Sequence, residues 1–90
     1  MNLPTLYGKS TNGKVKQWNI SVLELGDGSC YIETEHGYED GKKQLDQRLV
    51  DKGKNIGRSN ETTAFEQACL EARSAHERKK DDGYVENKDL

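Results

Sequence analysis

The sequence has few apolar residues and no long apolar run. Of its 90 residues only 31% are hydrophobic and 33% are charged, and the mean hydropathy is −1.06. No stretch approaches the roughly 18–20 apolar residues of a membrane span, and no charged-then-apolar start indicates a signal peptide. The length fits one small domain with a thin core. We therefore expect a single cytoplasmic domain, with its core at about residues 5–85 and a flexible tail at 86–90.

Cysteine is also scarce, which excludes a disulfide-rich scaffold. Cys30 and Cys69 stand far apart in apolar surroundings, and free cysteine is commonly a small core residue. Without a secretory signal, two reduced thiols are expected rather than a disulfide. His36 and His76 would complete a zinc-type set, but their spacings from the cysteines do not match the close pairs of zinc fingers. No metal and no other cofactor is expected.

Neither sign of charge dominates the chain as a whole. Lys and Arg total 14 against 16 Asp and Glu, which gives a net charge of −2. Residues 42–58 carry a local net charge of +4, whereas residues 61–90 carry −3. The overall balance argues against a uniformly basic nucleic-acid binder. The local basic segment can still contact phosphates.

The first half of the chain alternates apolar and polar residues, as β-strands do. Asn12-Gly13 and Asp40-Gly41 are hairpin signals, and Gly26-Asp27-Gly28 is a third turn signal because glycine tolerates positive φ. Four strands are predicted. The first ends near Lys9, and the other three span about 15–25, 29–36 and 43–50. Alternation places three groups on shared faces: Trp18 with Ile20 and Val22, Cys30 with Ile32 and Thr34, and Leu45 with Leu49.

The second half changes to a helical period. Thr63 and Glu66 fit a capping box, and Gly83 is a typical residue just after a helix. A half-polar sheet needs a cover, so we expect the helix to pack across it, with Tyr84 and Val85 folding back on the sheet. The predicted fold class is α+β: a small four-stranded antiparallel β-meander with one C-terminal α-helix packed across it. The apolar face of that helix comprises Phe65, Ala68, Cys69, Ala72, Ala75 and His76.

The segment KGKNIGRSNETT at residues 52–63 is the most unusual stretch of the sequence. Two glycines, three cations and a hydroxyl-rich helix start together suggest a site for an anion such as phosphate. The spacing is not that of a P-loop, so nucleotide hydrolysis does not follow. An ordinary strand-to-helix loop with solvated polar residues explains the same composition. Both interpretations stay open at this point.

No pattern in the sequence indicates catalysis. Lys80-Asp81-Asp82-Gly83 matches the KxDG lysine motif of nucleotidyl transferases, but it lies at a predicted helix end without a chain segment to build a nucleotide pocket. Glu33 and Glu35 share one face of a predicted strand and have no partner that would make them an acid–base pair. We therefore expect a binding module and not an enzyme.

In the order of its elements the sequence resembles the WGR-like domain at the N-terminus of some bacteriophage ATP-dependent DNA ligases, and more remotely the WGR domain of poly(ADP-ribose) polymerases. The resemblance covers about residues 5–85. The segments that carry it are Gln17-Trp18-Asn19-Ile20, His36-Gly37-Tyr38, residues 52–63, and Gly83-Tyr84.

The resemblance implies a non-catalytic accessory module that holds duplex or nicked DNA, or a neighbouring ligase catalytic domain, near a strand break. In the polymerases a Trp-Gly-Arg turn contacts DNA, and at that turn this sequence has His36-Gly37-Tyr38, so only the glycine matches. Any DNA contact then shifts to a basic edge. The expected DNA-binding residues are Lys42, Lys43, Lys52, Lys54, Arg58 and Tyr38.

A second function class fits the acidic C-terminal third. A small phage protein with an acidic helix surface can bind a host protein and inhibit or redirect it, because carboxylates can occupy sites that normally take phosphates. The two hypotheses differ in the surface used: the basic edge for DNA, and the helix for a host protein.

Overall fold

The chain forms an antiparallel sheet followed by one helix. The computed structural model describes residues 1–53, 57, 59 and 61–86. Its elements are β1 (Leu6–Lys9), β2 (Val15–Glu24), β3 (Cys30–Tyr38), β4 (Gln44–Val50) and α1 (Ala64–Asp81). The strands pair in the order β1-β2-β3-β4, and α1 packs across one face of the sheet. The predicted α+β meander with a covering helix is confirmed.

Short turns join consecutive strands, as the glycine signals predict. At the first turn Gly13 has a φ of 83°, and the Asn12 side chain accepts a hydrogen bond of 3.0 Å from the Lys14 N–H. The Asp27 carboxylate organises the second turn by accepting from the hydroxyl and the N–H of Ser29, which lowers the pKa of Asp27. Antiparallel pairing brings the turns at 10–14 and 39–43 to the same end of the sheet, which we call the hairpin end.

The core lies between α1 and the face of the sheet that it covers, the inner face. Trp18, Ile20 and Val22 project from β2 into this layer, with 7%, 3% and 4% of their surfaces exposed. Leu45 and Leu49 share a face as predicted, but it is the outer face, where they are 57% and 51% exposed. The remaining core residues are Leu6, Cys30, Ile32, Val50, Ala64, Ala68, Cys69 and Ala72.

The register of β4 with β3 decides which side chains of β4 lie on the inner face. Cys30 pairs with Val50, so Val50 shares the inner face with Cys30, and Leu49 must point the other way. Both cysteines are free and buried. Burial raises the pKa of the Cys30 thiol.

The helix begins and ends at the predicted positions. The Glu66 N–H donates to Thr63 Oγ1 at 3.1 Å, and the Thr63 N–H donates to Glu66 Oε1 at 2.9 Å, which completes the capping box. Before the helix, the backbone of Gly53 lies so close to Thr62 that a Cβ at position 53 would stand 1.5 Å from the Thr62 carbonyl oxygen. Only glycine allows this approach, which brings the residues after β4 against the residues just before α1.

The first residues of the chain and the described segment after α1 pack along the sheet. Met1 and Val22 of β2 donate to each other's carbonyl, and the Leu3 N–H donates to the Ile20 carbonyl at 3.3 Å. After α1 the chain folds back, and Val85 and Tyr7 donate to each other's carbonyl at 2.9 and 2.7 Å. Within the part of the chain described, no helix is long and apolar enough to cross a membrane.

Candidate nucleic-acid interface

An open groove of about 510 Å³ lies at the hairpin end of the sheet. It forms where the inner face extends beyond the helix, so strands supply its floor and the last turn of α1 supplies one wall. Three aromatic rings, one histidine and two lysines line it. The lining residues are Lys16, Gln17, Trp18, Thr34, His36, Gly37, Tyr38, Asp46, Lys79 and Tyr84.

The strand register brings four of these side chains together. Trp18 pairs with His36, and Lys16 pairs with Tyr38, on neighbouring strands. Because side chains alternate between faces, all four project from the inner face. Trp18 is nearly buried, whereas Tyr38 is 37% exposed. One side of the groove therefore joins the core and the other opens to solvent.

Tyr84 reaches the groove through the turn that follows α1. Gly83 has a φ of 100°, which reverses the chain direction after the helix. The Tyr84 ring then lies against the bare backbone of Gly8, where an added Cβ would be 3.0 Å from ring atoms. The absence of a side chain at Gly8 is what admits the ring.

Two lysines stand over the aromatic rings. The Lys79 ammonium lies 4.9 Å from the centre of the Tyr84 ring and 5.8 Å from that of Trp18. Lys14, at the rim, holds its ammonium 5.6 Å from the Tyr38 ring centre. These distances suit cation–π attraction, which places positive charge at the groove. Lys16 adds a third ammonium to the same region.

One acidic residue lies in the groove wall. Asp46 Oδ2 is 3.3 Å from His36 Nε2, and the two side chains face each other across β3 and β4. The Asp46 side chain is 76% exposed. The groove with its rim thus carries three lysines against one carboxylate, a net positive site whose histidine already has a partner.

The predicted DNA-binding residues do not form one continuous edge. Tyr38, Lys42 and Lys43 lie at the hairpin end, whereas Lys52 follows β4 at the opposite end. A strand of 7 residues separates the two groups, which corresponds to roughly 23 Å. Lys54 and Arg58 lie outside the described residues.

Lys43 has a structural contact. Its ammonium donates to the backbone carbonyls of Glu39 and Gly41, each at 3.0 Å, and so closes the turn between β3 and β4. Lys42 is exposed beside it. Of the two adjacent lysines, Lys42 is therefore the one without such a turn contact among the described residues.

In the loop at 52–63, backbone N–H groups that the structure describes donate to carboxylates of this chain. The Gly57 N–H donates to Glu61 Oε1 at 2.6 Å, and the Thr63 N–H donates to Glu66. The hydrogen bonds with Thr63, first of all the one from its backbone, lower the pKa of Glu66. The described part of this loop thus has internal anions at the positions where the sequence suggested a phosphate.

The helix surface carries both signs of charge. The acidic and basic residues of α1 are equal in number, so the excess of acid in the C-terminal third lies outside the helix. Arg48 on β4 also donates to Glu71, which engages one of the helix carboxylates. The charged residues of α1 are Glu66, Glu71, Glu77 and Asp81 against Arg73, Arg78, Lys79 and Lys80.

Sequence reasoning missed Lys14, Lys16, Lys79 and Tyr84 as site residues. A signal for two of them was present: Lys16 stands two residues from Trp18 on one strand, and Lys79 stands three residues from His76 on the helix. Those spacings place each lysine on the same face as its apolar neighbour. The proximity of strand and helix lysines depends on packing.

The described part of the chain contains no cluster of three or more His, Cys, Asp or Glu side chains that could hold a metal ion. In comparisons with known proteins, no family model matches this sequence, and no curated protein matches it either. The groove is therefore interpreted from its own residues.

Proposed function

We propose that this domain is a non-catalytic DNA-binding accessory module that contacts DNA through the groove at the hairpin end. The observation that carries the proposal is the arrangement of lysine ammonium groups over aromatic rings in one open groove, with Lys79 at 4.9 Å from Tyr84 and 5.8 Å from Trp18. Aromatic faces stack on bases, and lysines neutralise phosphates.

The groove favours DNA in which a base is accessible. A base in an intact duplex is stacked on both sides, whereas a nick, an end or a single strand leaves a ring face free to meet a side chain. Tyr38 is the most exposed aromatic residue in the lining and is the expected stacking partner. Lys14, Lys16 and Lys42 then reach the adjoining phosphates. A preference for nicked over intact duplex follows.

Fluorescence anisotropy with labelled nicked and intact duplexes across a salt series tests the proposal. We expect binding that weakens with salt. A Lys14→Gln, Lys16→Gln double variant should reduce the magnitude of the slope of log affinity against log salt concentration by about 1–2, since each released counterion contributes about 0.9. Lys52→Gln is the matched control, because Lys52 is exposed at the opposite end of the sheet. It should leave the slope almost unchanged.

Three results would contradict the proposal. Absence of binding at low salt would exclude a DNA module. An equal slope for the double variant and the original protein would remove the groove lysines from the contact. A larger effect of Lys52→Gln than of the double variant would move the contact to the other end of the sheet.

A further inference from the structure

The two edges of the sheet differ in how they are covered. At β1, the backbone of Tyr7 is paired with Val85, so the C-terminal segment protects that edge. β4 is the other edge, and its residues 44–49 are all exposed. Among the described residues, the backbone of β4 makes hydrogen bonds only within the sheet. An edge strand of this kind can pair with another strand.

The sequence of β4 is self-complementary about its central residue. Gln47 has an acid before it and a base after it, and a leucine stands two positions away on each side. When two copies of this strand run antiparallel with Gln47 opposite Gln47, every one of these residues meets a suitable partner. The pairs are Asp46 with Arg48 of the second copy, and Leu45 with Leu49 of the second copy, each occurring twice.

We infer that β4 is a homodimerisation edge, on which a second copy of this chain pairs through its own β4 around a two-fold axis at Gln47. The two sheets then form one continuous sheet of eight strands, with both helices on the same face. This inference does not depend on the proposed DNA contact.

The exposed leucines support a second copy as the occupant. Leu45 and Leu49 lie on the outer face, 57% and 51% exposed, and Leu49 pairs with Tyr31, which in turn pairs with Leu23. In the dimer, Leu45 of the second copy extends this apolar row from the other side. Directly opposed apolar pairs of this type stabilise antiparallel strands.

The charged pair is accessible for the same contact. The side chains of Asp46 and Arg48 are 76% and 60% exposed on the inner face. Arg48 already donates to Glu71, but a guanidinium has five N–H donors and can serve two carboxylates. The pairing can continue one step past the strand, where Lys43 meets Asp51 of the second copy. At the next step Lys42 lies opposite Lys52 of the second copy. The repulsion between these two charges favours a short ladder.

Charge reversal tests the pairing and its register together. An Asp46→Arg variant has two bases at positions 46 and 48, and an Arg48→Asp variant has two acids there. Each variant alone should dimerise at least tenfold more weakly than the original chain in sedimentation equilibrium, because like charges are opposed twice. Mixed in equal amounts, the two variants should form heterodimers, in which both pairs between positions 46 and 48 join opposite charges.

A second measurement reads the two-fold axis independently of charge. A Gln47→Cys variant should be joined by a short thiol cross-linker into a dimer, because the two Cβ atoms would be about 5 Å apart. Ser74→Cys, exposed on the helix, is the control and should not be cross-linked into a covalent dimer. Circular dichroism of every variant establishes that it is folded.

Four outcomes would overturn the inference. The original chain could stay monomeric at millimolar concentration. The folded charge variants could dimerise as well as the original and fail to prefer each other. Cross-linking at position 47 could be no faster than at position 74. Pairing of β4 with a different extended peptide in preference to a second copy would also overturn it.

Discussion

The Nε2 atom of His76 lies 2.9 Å from the carbonyl oxygen of Pro4, and this hydrogen bond joins the helix to the segment that precedes β1. His76 is 5% exposed, and its ring centre lies 6.4 Å from that of Trp18. One side chain thus ties three parts of the fold together beside the groove. Its polar atom is satisfied, which is the condition for burying a histidine in a thin core.

His76→Ala should lower the free energy of unfolding by about 2–4 kcal/mol, because it leaves a cavity beside Trp18 and removes the partner of a backbone carbonyl. Chemical denaturation followed by Trp18 fluorescence measures the change. Ser74→Ala is the matched control, since Ser74 is exposed on the same helix. Equal stability of the two variants would show that the His76–Pro4 contact contributes little.

Gly37→Ala should destabilise the protein and distort the turn between β3 and β4. Gly37 has a φ of 154°, and an added Cβ would stand 2.6 Å from the Lys42 carbonyl oxygen. The combined strain should cost about 1–3 kcal/mol in urea denaturation. Gly26→Ala provides the comparison, because a Cβ there meets no atom within 4 Å. If both substitutions had the same effect, the close approach at Gly37 would not be important for stability.

The capping box should make stability depend on pH in the acidic range. Hydrogen bonds from Thr63 lower the pKa of Glu66 in the folded state below its ordinary value of 4.5. The stabilisation is therefore fully present above that value and is lost as pH falls through the folded pKa. Glu66→Gln keeps an acceptor oxygen but does not titrate.

The difference in unfolding free energy between the original protein and Glu66→Gln should consequently shrink as pH falls from neutral to below 4.5. Asp27, which also has a lowered pKa, is present in both proteins and cancels in the comparison. Parallel stability curves for the two proteins across this range would contradict a role of the Glu66 charge.

Cys30 should react slowly with thiol reagents in the folded protein. The residue is 1% exposed, and burial raises the pKa of its thiol, so both access and the thiolate fraction are reduced. A Cys69→Ala variant isolates Cys30 for a thiol-labelling time course. Labelling should accelerate strongly in urea at the unfolding midpoint. Fast labelling without denaturant would show that this end of the core opens readily.

Trp18 should report groove occupancy directly. It is the only tryptophan of the chain, it lines the groove, and the Lys79 ammonium lies over its ring. An oligonucleotide that enters the groove should change Trp18 emission, and Tyr38→Ala should reduce the affinity measured by that change. Binding seen by anisotropy without any change in emission would place the DNA contact away from the groove.

Much of the fold could be predicted from local sequence. Alternation at Trp18, Ile20 and Val22 predicts the central strand, and the Thr63–Glu66 pair predicts the helix start. These signals act between residues close together in the chain, so one sequence carries them without knowledge of the rest of the fold. The orientation of Leu45 and Leu49 could not be predicted from such local signals, because the pairing of Val50 with Cys30 decides it.

The candidate site depends more on tertiary structure. A run of cations between 42 and 58 suggested one basic edge, but β4 carries its two ends to opposite ends of the sheet. Conversely, Lys16 and Lys79 are 63 residues apart in the sequence, yet both line the same groove. The sequence by itself determined the elements, turns and caps, since these follow from short-range sterics and hydrogen bonds. Strand register and the packing of α1 on the sheet decided which charges and rings come together, because both are set by long-range burial of the core.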